Sequence, residues 1–309
     1  MSKASLEIPK RLKAGDKVCL VSPASAPDRI KVAACVEYLQ QLGLIVEVGE
    51  HVFDEFGLFA GTDEARLADF NNALRDPDVR AIFATRGGRG AYRIADKLDT
   101  EAARQAPKIL VGFSEITILH LALYKNCRIP GIHGAVWDDD FSVESAESFR
   151  KAIFTNDAVM VCQDHDEPTH TLTTRGKANG VLLGGNQDML ATSAGWMLPD
   201  MKGAILLLEA VGLQRGQIDR QLTMLRKTGA LSGLAGIAIG QYTDCGRANS
   251  EDGSWGFVDI LRDQLERLNV PILGGLRIGH GDRPIAVPVG TMATLDADAG
   301  TLLVEAAVA

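Results

Sequence analysis

The first half of the chain alternates short apolar runs with stretches of helical period, and that alternation restricts it to βαβ units and a parallel sheet. KVCLVSP (17–23) reads as a strand that stops at Pro23. Asp28 then caps a helix with Ile30, Ala33, Ala34, Leu39 and Leu42 as its apolar positions, ending at Gly43. LIVEV (44–48) is the second strand, and Thr62-Asp63-Glu64 opens a helix that stops before Pro77. VRAIFAT (79–85) and KILVGF (108–113) are the third and fourth strands.

The second half reads differently. Residues 156–178 are polar, Thr-rich and β-leaning, and are expected to link a domain at 1–155 to one at 179–309. GAILLLE (203–209), GLAGIAIG (233–240), IAVPVGTMATLDA (285–297) and TLLVEAA (301–307) read as strands, with helices over 218–229 and 255–269. The expected fold class is α/β: an N-terminal parallel-sheet domain plus a smaller, β-rich α/β C-terminal domain.

Composition excludes several function classes. With 309 residues, 46% hydrophobic and 23% charged, the chain can bury a sizeable core without disulfide or metal staples. A net charge of −8 with no basic run argues against nucleic-acid binding. Five cysteines, none in a C-x-x-C pair, offer neither a zinc nor a redox motif and read as buried thiols of a reducing compartment. The first 17 residues lack the apolar stretch of a secretory signal, and no run approaches a membrane span. A soluble cytoplasmic protein without membrane contact, metal or cofactor is expected.

Chemistry concentrates at three places. Ser114 stands at the turn between the strand ending at Phe113 and a helix beginning near Glu115, where α/β sheets bind ligands. It could be a nucleophile beside free helix N–H groups, or the helix N-cap with Glu115 as a first-turn charge. The pattern G-x-S-x-G is not met, because Ile116 fills its last position. RGGRG (86–90) directly follows a strand, so Arg86, Gly87 and Gly88 can bring backbone N–H groups to an anion, or form an ordinary turn. Glu209 ends a buried strand, where it could orient a histidine or simply be solvated.

Six histidines could act as a base. His120 lies about 240° round the helix from Ser114 and ~9 Å along it, a poor geometry. His165 and His170 fall in the expected linker, and His51 has no companion motif. His133, in PGIHGAVW, could line the site, and His280, between Gly279 and Gly281 in a loop, is the better base. Asp138, Asp139 and Asp140 are adjacent and cannot all converge on one ion, so they read as a solvated loop.

Together these segments resemble the serine LD-carboxypeptidase family, which includes murein tetrapeptide carboxypeptidases and microcin C immunity peptidases. The resemblance runs from LKAGDKVCLVSPAS through Phe59–Asp63, ATRGGRGAYR, ILVGFSEIT, IHGAVW, GVLLGGNQ and LLLEAVG with IDRQL, to GLRIGHGDRPIAVPVG. It implies a flavodoxin-like N-terminal domain and a site at the domain interface. It places the nucleophile on Ser114, the acidic member on Glu209, the histidine on His280, and the oxyanion donors on the N–H groups of Gly88 and Glu115. The implied activity is hydrolysis of an L,D amide in a small peptide, releasing D-alanine from murein tetrapeptide during cell-wall recycling, by a homodimer.

Three departures touch the rim rather than the triad: Phe-Ser-Glu replaces the commoner Tyr-Ser-Asp, Arg89 replaces an aromatic, and Ala210-Val211-Gly212-Leu213 lacks the usual acids. They leave open a peptidyl-nucleotide toxin of the microcin C kind as substrate. A non-catalytic module that binds a small anion on the glycine-rich turn is the competing reading from another class.

Overall fold

The computed structural model describes residues 6–134, 142–247 and 254–309. The aspartates 138–140 lie outside them. In chain order the first part comprises β1 (Lys17–Val21), α1 (Arg29–Gln41), β2 (Ile45–Val48), α2 (Asp63–Arg75), β3 (Val79–Ala84), α3 (Ala91–Ile94), α4 (Thr100–Gln105), β4 (Ile109–Gly112), α5 (Thr117–Cys127), β5 (Gly131–His133) and α6 (Val143–Phe154). The second part comprises β6 (Val159–Cys162), β7 (Lys177–Asn186), α7 (Gln187–Ser193), β8 (Ile205–Val211), α8 (Arg215–Lys227), β9 (Gly236–Thr243), α9 (Phe257–Leu265), β10 (Ile272–Leu273), β11 (Val287–Val289), β12 (Met292–Asp296) and β13 (Thr301–Val304).

The helix starts have local causes. Asp28 accepts from the N–H groups of Ile30 and Lys31 at the head of α1, and Thr62 caps α2 through the N–H of Ala65. The first sheet runs β2-β1-β3-β4-β5 in parallel, with β11 antiparallel on β5. Both faces are covered at the inner strands β1, β3 and β4, which are therefore largely apolar rather than alternating, whereas the edge strand β2 is largely exposed. Phe70 and Leu119 lie in the cluster on one face, Val32 and Phe149 in the cluster on the other.

The second sheet has the order β10-β9-β8-β7-β12-β13-β6. Strands β7 to β10 pair in parallel, and α7, α8 and α9 supply side chains to the cluster on one face. The antiparallel β12, β13 and β6 complete it, with Leu295, Leu302 and Val161 packing in the cluster of Leu182 and Leu207. The architecture is the expected α/β pair of sheets.

Two segments differ from expectation. IAVPVGTMATLDA is two strands in two sheets: Gly290, at φ +89°, breaks the run, so β11 joins β5 of the first sheet while β12 joins β7 of the second. Apolar continuity could not reveal that change of partner. The stretch 156–178 contains β6 and a 3₁₀ turn at Pro168–Leu172. Its hydroxyls make tertiary bonds: Thr169 Oγ1 donates to the Gly240 carbonyl (3.1 Å) and accepts from the Gly275 N–H (3.0 Å). Cys162, on the edge strand β6, is exposed, whereas Cys19, Cys35, Cys127 and Cys245 are buried as expected. Among the described residues no helix is long and apolar enough to cross a membrane.

Gly240 carries a packing constraint. A Cβ there would lie 2.1 Å from the Ile278 carbonyl oxygen, at the base of the loop that carries His280. Gly240→Ala is expected to destabilise the fold by about 1–3 kcal/mol, as overpacked sites do. Urea unfolding measures this, and an unchanged midpoint would contradict the contact.

Candidate active site

The turn after β4 is tight because two side chains are missing. A Cβ on Gly112 would meet Ile116 Cγ2 at 2.7 Å, so only glycine lets the chain fold back with Ile116 fully buried. Between them Ser114 takes φ +60°, a left-handed conformation that costs a non-glycine residue about 1–3 kcal/mol. Ile116 therefore packs where the G-x-S-x-G pattern would have its last glycine. A 3₁₀ turn at Ser114–Ile116 precedes α5, and neither helix start has a side-chain cap. The N-cap reading of Ser114 therefore fails: α5 begins three residues later, at Thr117.

The glycine-rich turn lies over this serine. A Cβ on Gly87 would sit 2.7 Å from Ser114 Cβ and 3.0 Å from its Oγ. Gly88, at φ +109°, packs on Ser25, whose Oγ accepts from the Arg89 N–H (3.0 Å) and donates to the Leu58 carbonyl (2.9 Å). Glu115 is not a solvated first-turn charge. It is buried, and its Oε1 accepts from the N–H groups of Gly90 (2.8 Å) and Tyr92 (3.1 Å). Burial pushes its carboxyl up, against those two donors, which favour the anion.

Glu209 is fully buried rather than solvated. The β8–β9 register slips between Leu208 and Ala210, and such irregularities re-aim a side chain. Glu209 Oε2 pairs with His280 Nδ1 at 2.7 Å. Burial works to raise the Glu209 carboxyl, but the charge and hydrogen bond of His280, aided by His133 and Asn186, hold it below the usual range. Gly279, at φ +134°, allows the approach, since a Cβ there would lie 2.9 Å from Glu209 Oε2. Gln241 holds the far side of the loop: its Oε1 accepts from the Gly281 N–H (2.9 Å) and its Nε2 donates to the Asp282 carbonyl (3.1 Å) and Glu167 Oε1 (2.7 Å).

One cleft of about 270 Å³ collects these pieces. Lys31 follows β1, Arg86, Gly87 and Gly88 follow β3, Phe113 and Ser114 follow β4, and His280 arrives from the second part. The carboxyl ends of β1 and β3 mark the point where strand order reverses, the expected ligand position in such sheets. The Phe113 ring also packs against that of His280, tilted by 40° with centroids 4.6 Å apart.

The other histidines divide clearly. His120 is buried and its Nε2 donates to the Gly112 carbonyl (3.0 Å), which supports from behind the strand that leads into Ser114. His133 is buried behind Phe113, edge-on to its ring, and the charges of Glu209 and His280 both act on it. His170 Nδ1 donates to the Glu167 carbonyl, and its ring lies edge-on to that of His165. Among the described residues no group of three His, Cys, Asp or Glu could hold a metal. Asn186, Gln241 and Glu167 were not singled out from sequence. The GGN at the end of β7 was their one visible signal, since Asn186 pairs in register with Glu209.

Comparison with known proteins agrees across both parts. Residues 18–134 match the LD-carboxypeptidase N-terminal domain and residues 179–295 the LD-carboxypeptidase C-terminal domain. A probable murein peptide carboxypeptidase of Bacillus subtilis is 34% identical, covering 97% of this chain and 95% of that protein. A murein tetrapeptide carboxypeptidase of Pseudomonas aeruginosa is 31% identical, covering 91% and 93%. A solved structure of the microcin C7 self immunity protein has a TM-score of 0.83 at 22% identity, covering 96% of this chain and 98% of that one, a likeness of fold.

Burial lowers the pKa of both His120 and His133 from 6.5 to about 4. The fold keeps them neutral where the unfolded chain would protonate them, so the unfolded state binds more protons below about pH 6.5 and stability falls toward pH 4. The urea midpoint is expected to drop across that window, and to drop less in His133→Asn, which cannot titrate. Identical slopes in the two proteins would contradict a neutral buried His133.

Proposed function

The chain belongs to the LD-carboxypeptidase family and is a serine-type hydrolase, and from that premise we propose that Ser114, Glu209 and His280 form its catalytic triad. The observation that carries the assignment is the 2.7 Å bond from His280 Nδ1 to the buried Glu209, in a loop that opens onto the Ser114 cleft. His280 takes the Ser114 proton through its other nitrogen as Oγ attacks the scissile carbonyl. Glu209 holds the imidazole in the required tautomer and stabilises its cationic form. The N–H groups of Gly88 and Glu115 receive the oxyanion. His280 then protonates the departing amine, and water hydrolyses the acyl-enzyme.

The proposed substrate is a murein tetrapeptide, and the bond cut is the L,D amide before its terminal D-alanine. Arg86 and Lys31 on the cleft wall supply positive charge for the free carboxylate that such a leaving group carries. Arg86 is anchored by Nη1 on the Ala26 carbonyl (3.3 Å), which leaves further guanidinium donors for a ligand. The peptidyl-nucleotide alternative rests on a likeness of fold and is not favoured. The anion-binding module gives way to the enzyme, because a buried Glu–His pair beside a strained serine serves no purpose in binding an anion. This reading also places the reaction in the cytoplasm, in a homodimer.

Mass spectrometry of murein tetrapeptide after incubation with the protein is expected to show loss of one alanine. Ser114→Ala is expected to lower kcat by about 10⁶-fold and Glu209→Gln by about 10⁴-fold. An uncut tetrapeptide with a cleaved peptidyl-nucleotide would overturn the substrate, and wild-type turnover in Ser114→Ala would overturn the triad.

A further inference from the structure

We propose that Glu115 is a positioning residue: its buried carboxylate ties the glycine-rich turn to the nucleophile turn and so aims the Gly88 N–H at the oxyanion. The inference rests on the reading of Ser114, Gly88 and Glu115 given above. In it one residue supplies one oxyanion donor from its backbone and sets the other through its side chain.

The geometry is a clamp on the backbone on both sides of Gly90. Glu115 Oε1 accepts from the Gly90 N–H at 2.8 Å and the Tyr92 N–H at 3.1 Å. On the other side of Gly90, Arg66 Nη2 donates to its carbonyl at 3.3 Å, while Nη1 donates to the Gly61 carbonyl at 3.0 Å. Arg66 is 1% exposed and Glu115 5% exposed, so both charges act without much screening. Gly90 stands at φ +124°, and a Cβ there would come within 3.0 Å of Arg66 Cζ and of Phe59. Only a glycine fits between the two side chains.

Such a clamp answers a physical need. A turn with three glycines in five residues has the most backbone freedom to lose on ordering. Oxyanion stabilisation depends on donors already in place before charge develops. Bonds from N–H to a carboxylate are about twice as strong as neutral ones, which suits the task. The arrangement is also costly, since Glu115 Oε2 is buried without a hydrogen-bond partner among the described residues. A buried acceptor left unsatisfied is a poor choice for stability alone.

The test measures kcat and KM separately for Glu115→Ala and Glu115→Gln on the peptide substrate, together with affinity for a peptide aldehyde. The aldehyde forms a tetrahedral adduct with a serine nucleophile and so reports the oxyanion site. Glu115→Ala is expected to lose about 10²-fold in kcat, the scale of one misplaced oxyanion donor, with KM within about threefold. Glu115→Gln keeps a neutral acceptor, and is expected to lose about tenfold in kcat with a matching loss of aldehyde affinity.

A merely structural role would lower the melting temperature and leave both kcat and aldehyde affinity in place. That result, or wild-type kcat in Glu115→Gln, overturns the proposal even if the alanine variant does not fold. Failure of the underlying reading looks different: Ser114→Ala would then turn over substrate and bind aldehyde like the wild type.

Discussion

A carboxylate with no solvent exposure has to be compensated, and at Glu209 the compensation organises the site. Stripping water from an isolated ion costs several kcal/mol even after relaxation. Here the partner is His280, bonded at 2.7 Å, and much of the second part serves that contact. The slipped register of β8 aims the side chain, Gly279 lets the loop approach, and Gln241 fastens the loop from the opposite side. Gln241 is itself tied to Glu167, so the polar stretch between the two family domains contributes to holding the histidine.

The first part solves a complementary problem, holding Ser114 at a fixed place in the cleft wall. A strained serine persists only where its surroundings over-determine it. Gly112 permits the fold-back of Ile116, Gly87 passes within contact of Ser114, and His120 supports the strand carbonyl beneath. The two halves are also joined through their sheets, because β11 leaves the second part to pair with β5. His133 sits at that junction, in register with Val287 on one side and Gly112 on the other. A shift between the parts would therefore move the His280 loop relative to Ser114.

Much of this was legible in the residues. The strand–helix alternation of the first half, the caps Asp28 and Thr62, the place of Ser114 just after β4 and of His280 in a loop were visible from period and punctuation, whereas Glu209 does not end its strand, because β8 runs on to Val211. Other features were hidden for physical reasons. The stretch from Ile285 to Ala297 is mainly apolar, and although Gly290 marks a break in it, the residue pattern does not reveal that the two halves enter different sheets. Glu115 has the residue type and place of a first-turn charge, yet tertiary contact with a turn 25 residues away overrides the local preference. Gln241 and Asn186 act through bonds to loops distant in sequence, which periodicity does not encode.

Ser114 is proposed here as a nucleophile activated by the Glu209–His280 pair. Covalent labelling tests it most directly: the protein is treated with a serine-directed phosphonate and digested, and the modified peptide is located by mass. The account predicts one label per chain, on Ser114, formed far more slowly in His280→Ala. A label on another residue, or equal rates on Ser114 with and without His280, would contradict it.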